Sequence, residues 1–102
     1  VGFGNHKGRK LCRAGVAIDG NGTIAAAMMA GDMHVSPPDT LDRVAAAVVG
    51  GGASEDDDLR RRIASVLEAA DVHQADTTTG VTTDDLLAAL RKAVENAKEA
   101  PA

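Results

Sequence analysis

A chain of 102 residues with 44% apolar residues, one aromatic side chain and one cysteine makes a single domain that buries roughly 60 to 70% of its unfolded surface. Cys12, standing alone, excludes an internal disulfide and the paired-cysteine patterns of zinc and redox sites, which fits a reducing cytoplasm. No run of about 20 apolar residues and no basic-headed signal peptide is present. A net charge of −4 with Phe3 as the sole aromatic offers a polyanion neither a basic surface nor a stacking platform, so neither membrane nor nucleic acid is an expected partner.

The first 13 residues carry Lys7, Arg9, Lys10 and Arg13 with no acid, whereas the rest of the chain has a net charge of −8. Residues 1–9 read as a basic leader suited to phosphates or an acidic partner, with a merely solvated leader as the plain alternative. The opening at Val1, without an initiator Met, leaves a fragment or a processed piece open.

From Lys10 to Ile18 the residues alternate, with Cys12, Ala14, Val16 and Ile18 on one face and Leu11, Arg13, Gly15 and Ala17 on the other. This is the pattern of a half-buried strand. Asp19–Gly22, "DGNG", supplies residues that tolerate positive φ and predicts a hairpin. The return strand, Thr23 to Ala30, puts Ile24, Ala26, Met28 and Ala30 on one side. Ala25, Ala27 and Met29 make the other side apolar too, so both faces are expected to be packed.

Three helices follow, each announced by a hydroxyl three residues before a carboxylate: "SPPD" at Ser36–Asp39, "SEDD" at Ser54–Asp57 and "TTDD" at Thr82–Asp85. Each predicts a hydroxyl N-cap, and Pro37 suits a first helical position. Their apolar stripes are Leu41, Val44, Ala45 and Val48; Leu59, Ile63, Val66 and Leu67; and Leu87, Leu90, Val94 and Ala97. Gly50–Gly52 ends the first helix. Arg60, Arg61 and Arg62 read as an exposed run paired with the helix's own acids. His73–Gly80 reads as a polar loop and 99–102 as a frayed tail. The expected fold is α+β: a small antiparallel sheet, a hairpin plus a possible third strand, covered by about three helices. With so many small side chains its core is thin, and at about 25 cal/mol per Å² it gains from a partner.

Candidates for chemistry are few. Asp32 and His34 flank Met33 in a spacing that points both the same way from extended backbone, yet two ligands without a third make a poor metal site. Asp32 after Gly31 suits a turn. His6 stands isolated, His73 reads as a solvated loop residue, and Cys12 reads as a buried small hydrophobe. No phosphate-binding glycine loop, nucleophile elbow or HExxH occurs. No catalytic residue is assigned, no metal site is expected, and the chain alone is not a complete enzyme.

The order of "GRKL" (Gly8–Leu11), "DGNG", "GDMHVSP" (Gly31–Pro37), "VVG" (Val48–Gly50) and "GVTTDDLLAALRKAV" (Gly80–Val94) resembles the C-terminal, or accessory, domain of lipoate protein ligases. It is similar also to the separate small subunit of two-component ligases. That resemblance spans almost the whole chain and implies a SufE/NifU-like fold. It implies a role in supporting lipoyl-AMP formation by a separate catalytic domain or subunit, before the lipoyl group passes to a lysine of a lipoyl carrier protein. ATP, Mg and lipoate are implied for the complete ligase, and none is expected to be bound by this chain alone. Lys10, at the family's lysine in "GGKL", is the expected contact with ATP phosphate or with the catalytic partner, with Lys7, Arg9 and Arg13 beside it. Gly31, Asp32 and His34 are expected in the loop that faces the catalytic domain. Two further readings stay open: a non-catalytic interaction module of the same fold, and an independent enzyme or metal scaffold using Asp32, His34 and Cys12.

Overall fold

The computed structural model describes residues 1–7, 11–31, 35–74 and 81–99. Three strands, β1 (Gly2–Lys7), β2 (Leu11–Ile18) and β3 (Ile24–Gly31), form an antiparallel sheet in the order β1-β2-β3. Two-residue strands β4 (Val35–Ser36) and β5 (His73–Gln74) pair with each other. The helices are α1 (Thr40–Val48), α2 (Asp56–Leu67) and α3 (Thr83–Glu99). The α+β expectation holds, and the possible third strand is β1.

Within the stretch 1–9 read as a leader, residues 2–7 are therefore a strand, and residues 8 and 9 lie outside the described residues. Gly2–Lys7 pairs with Leu11–Val16 along its whole length. Hydropathy hides this strand because its inward positions are Gly2, Gly4 and His6 rather than apolar side chains. The two glycines are needed for close approach. A Cβ on Gly4 would meet Ala93 N and Ala89 O of α3, and one on Gly2 would meet Ala97 N and Ala93 O. Ala89, Ala93 and Ala97 recur every fourth residue and form the matching stripe on the helix. Backbone thus lies on backbone where other domains interdigitate side chains.

The Asp19 turn forms as expected: its Oδ1 accepts from the amides of Asn21 and Thr23 at 2.9 and 3.0 Å, and Gly22 takes φ +79°. The strand that follows departs from simple alternation. Val16 pairs with Ala27, Ala17 with Ala26 and Ile18 with Ile24, leaving Ala25 as an extra residue. This bulge changes the parity of the strand. Ile24, Ala27 and Met29 therefore face the helices, and Met28 is turned out to 41% exposure. Of the two faces expected to be packed, the inner one is covered by this chain's own helices and the outer one is open.

All three helices lie on the inner side. α3 packs on β1 and β2, α1 on β3, and α2 on α1 and α3. The buried stripes include Val44, Ala45 and Val48, then Leu59 and Ile63, then Leu87, Leu90 and Val94, all at expected positions. α3 also buries Leu86, Ala89 and Ala93, since it meets the sheet on one side and α2 on another. The glycines after α1 do more than end it. Ile24 N donates to Gly51 O, Gly50 N to Ile24 O, and Ala53 N to Gly22 O, at 2.9, 2.9 and 2.8 Å, so this segment pairs with the start of β3.

Of the three expected caps, one forms. Thr82 Oγ1 accepts from Asp85 N at 3.1 Å, and Asp85 Oδ2 accepts from Thr82 N at 3.0 Å, a reciprocal capping box. Ser36 is drawn into β4 opposite His73, and a turn in which Thr40 N donates to Pro37 O places the first helical residue at Thr40. Pro37 is accordingly outside the helix. Ser54 lies inside a Gly52–Glu55 turn, so Glu55 takes the N-cap position and α2 begins at Asp56, while the Ser54 hydroxyl accepts from Lys98 Nζ at 2.9 Å instead. In the arginine run, Arg61 and Arg62 pair with Asp58 as expected, while Arg60 reaches across to Asp84 of α3. Arg62 Nη1 also donates to Ala47 O at 3.0 Å, satisfying a carbonyl in the last turn of α1.

Candidate functional site

Of the candidate residues, Lys7 of the basic head and Gly31 come together at one end of the sheet. Lys7, the last residue of β1, is opposite Leu11, and Gly31, the last residue of β3, is opposite Cys12. The β1–β2 connection and the segment following β3 therefore leave the sheet at the same end. Lys7 is exposed and Gly31 half-buried. Arg13 lies further along β2, between Asn5 and Ala30, exposed on the outer face, with its guanidinium carbon 5.5 Å from the centre of the Phe3 ring. Arg9, Lys10, Asp32 and His34 lie outside the described residues.

On the inner side of this end, the structure unites three residues that are far apart in sequence. His6 and Cys12 are cross-strand partners, and His6 Nε2 lies 3.3 Å from Asp85 Oδ1 at the start of α3. Burial raises the Asp85 carboxyl, but hydrogen bonds from the Thr82 backbone and hydroxyl and from His6 outweigh it and hold the group below its ordinary value. Cys12 is wholly buried, and burial together with the Asp85 charge pushes its thiol up to about 11. It stays a protonated thiol at neutral pH, because forming a thiolate would bury a charge beside a carboxylate. The Cys-His-Asp grouping is thus an anchor between strand and helix.

A second fixed point completes the approach to α3. The Gln74 side chain brackets Val81, donating from Nε2 to its carbonyl at 2.7 Å and accepting its amide on Oε1 at 2.8 Å. His73, expected in a loop, is exposed in β5. Nothing local in the sequence sets His6 beside Asp85 or wraps Gln74 around Val81. "TTDD" signals the carboxylate as a cap, but its contact with His6 spans 79 residues, which no local pattern announces.

Chemically, this end offers positive charge on its outer side at Lys7 and Arg13, and a rigid hydrogen-bonded support on its inner side. Among the described residues, no three of His, Cys, Asp and Glu are grouped so as to hold a metal ion, and no helix is long and apolar enough to cross a membrane. Such an arrangement can support phosphate charge or a partner from one side; it does not enclose a substrate.

The comparisons with known proteins match this architecture. No family model and no curated protein matches the chain. Among solved structures, it is similar to a chain from an archaeal lipoylation system of Thermoplasma acidophilum, described as a bi-partite lipoate protein ligase and its E2 lipoyl domain. The TM-score is 0.70 and the identity 23%, over 87% of this chain and 92% of that one. At that identity, what the two chains share is the fold.

Proposed function

We propose that this chain is the accessory domain or subunit of a lipoate protein ligase, supporting formation of lipoyl-AMP by a separate catalytic domain before transfer to a carrier-protein lysine. One observation carries the reading: the match in fold, over nearly the full length of both chains, to a chain of a bi-partite ligase system. The order of sequence motifs supports it independently. So does the convergence of Lys7 and Gly31 at one sheet end.

In this reading, ATP, Mg and lipoate are held by the catalytic partner. Adenylation concentrates negative charge on phosphate oxygens, and cations brought in by a second body stabilise that charge and help exclude water. Lys10, in the connection between β1 and β2, is the leading contact with phosphate or partner, with Lys7, Arg9 and Arg13 in support. Gly31, Asp32 and His34 shape the loop toward the catalytic domain. The test is lipoate-dependent pyrophosphate release by a matching catalytic domain, with and without this chain. Release is expected to rise at least tenfold on adding the wild type and to lose most of that gain with Lys10→Ala. A chain that binds the catalytic domain without changing release would instead be a scaffold.

A further inference from the structure

We infer that the outer face of the three-stranded sheet is the surface on which the catalytic ligase domain docks, through an apolar patch bordered by carboxylates. The inference rests on the function proposed above and specifies where the partner sits. The chain's single aromatic, Phe3, is 48% exposed on this face, together with Leu11 at 48% and Met28 at 41%. Two of the three are clustered. Phe3 and Met28 converge over Gly15, where a Cβ would stand 2.7 Å from the Phe3 ring and 2.8 Å from Met28 Cγ. Val1, Ala17 and Ala26 complete a shallow apolar depression around them. Exposed aromatic, Met and Arg side chains together are the composition of an interface core.

Charge selects the occupant. Although the chain carries −4 overall, the charged residues described on the outer face are Lys7 and Arg13, both positive. The complement is apolar with an acidic border. A second copy of this chain fits poorly, since its outer face brings no described carboxylate to meet Lys7 and Arg13. The face is also small: three strands about 4.8 Å apart and about seven residues long span roughly 14 by 23 Å. Any stable partner needs about 800 Å² per side, so the interface continues past the face onto the adjoining strand ends at Lys7 and Gly31, where the contacts with the catalytic domain are proposed above. A further hollow, between Ser54 and α3, lacks this bias because Arg91 is paired with Asp56 and Lys98 is bonded to Ser54.

The experiment is titration calorimetry of the full chain into the catalytic domain, comparing wild type, Phe3→Ser, Met28→Ser, Arg13→Glu and, on the helical side, Arg60→Glu. The expected result is at least tenfold weaker binding for each of the first three and unchanged binding for Arg60→Glu. Circular dichroism should show that Met28→Ser and Arg13→Glu keep the wild-type fold. Wild-type affinity in the outer-face variants overturns the inference while leaving the proposed function intact. Failure of the wild type to bind overturns the function and, with it, this occupant. Self-association lost in Phe3→Ser, or binding to phosphatidylglycerol vesicles lost in Arg13→Glu, with no loss of catalytic-domain binding in either variant, overturns it in favour of a second copy or a lipid surface.

Discussion

The two faces of the sheet use glycine for opposite ends. On the inner face, Gly2 and Gly4 let the backbone of α3 settle directly onto β1. On the outer face, Gly15 opens a floor on which Phe3 and Met28 meet without any helix above them. The contrast shows how a domain nearly devoid of aromatics holds together. It obtains its core from closeness of backbone on one side and keeps its one large ring for the other. Stability and recognition are thereby separated across a single layer.

The sharpest way to break that contrast is to add one methyl group to each face. Gly4→Ala should cost about 3 kcal/mol, because the new Cβ meets helix backbone that cannot rotate away. A melting temperature lower by on the order of 15 °C would register it. Gly15→Ala meets no backbone, only side-chain atoms of the half-exposed Phe3 and Met28 that can shift toward solvent, and should cost less, about 1 kcal/mol. Equal losses would show that both faces are equally packed.

A smaller effect separates the formed cap from the two that do not form. Thr82→Ala should cost about 1 kcal/mol in denaturant unfolding, and Ser36→Ala and Ser54→Ala less than about 0.5 kcal/mol. Asp85→Ala removes the same cap together with the bond to His6. Because the Asp85 pKa is lowered in the fold, the wild-type advantage over that variant is present above about pH 4. It disappears as pH falls through the lowered value. An advantage independent of pH would exclude the carboxylate as its source.

The subtlest test concerns the inner face at Cys12. Its thiol is raised to about 11 from an ordinary 9.0, so the unfolded chain ionises first. Stability is therefore intact below about pH 9 and declines as pH rises toward 11. Cys12→Ala should flatten that decline. Iodoacetamide at pH 8 should leave the native thiol unmodified and label it in denaturant; rapid native labelling would contradict its burial.

Much of the architecture was legible because local chemistry repeats. The DGNG hairpin, the alternation of β2 and the apolar stripes of the helices all depend on residues within a few positions of each other. β1 was hidden because two of its core-facing residues are glycines, which carry no hydropathy signal. The bulge at Ala25 was hidden because a run of alanines reads the same in either register. Two of three caps failed for a related reason: Ser36 was claimed by a strand pair with His73, and Ser54 was taken into the Gly52–Glu55 turn, which leaves Glu55 at the N-cap of α2. Of the candidate site, Lys7, Arg13 and Gly31 can be placed at or near one sheet end, whereas the His6–Asp85 bond depends wholly on where α3 lands.

By itself, the sequence determined the fold class, the three helical faces, the central hairpin and the division between a basic head and an acidic remainder. These follow from periodicity, turn chemistry and charge, which act over one or two turns of chain. Tertiary structure decided that Gly2–Lys7 is an edge strand, that Met28 faces outward and that Cys12 is sealed beside Asp85. Each of these depends on backbone packing between distant segments. Closeness of that kind has no local signature when the residues that permit it are glycine and alanine.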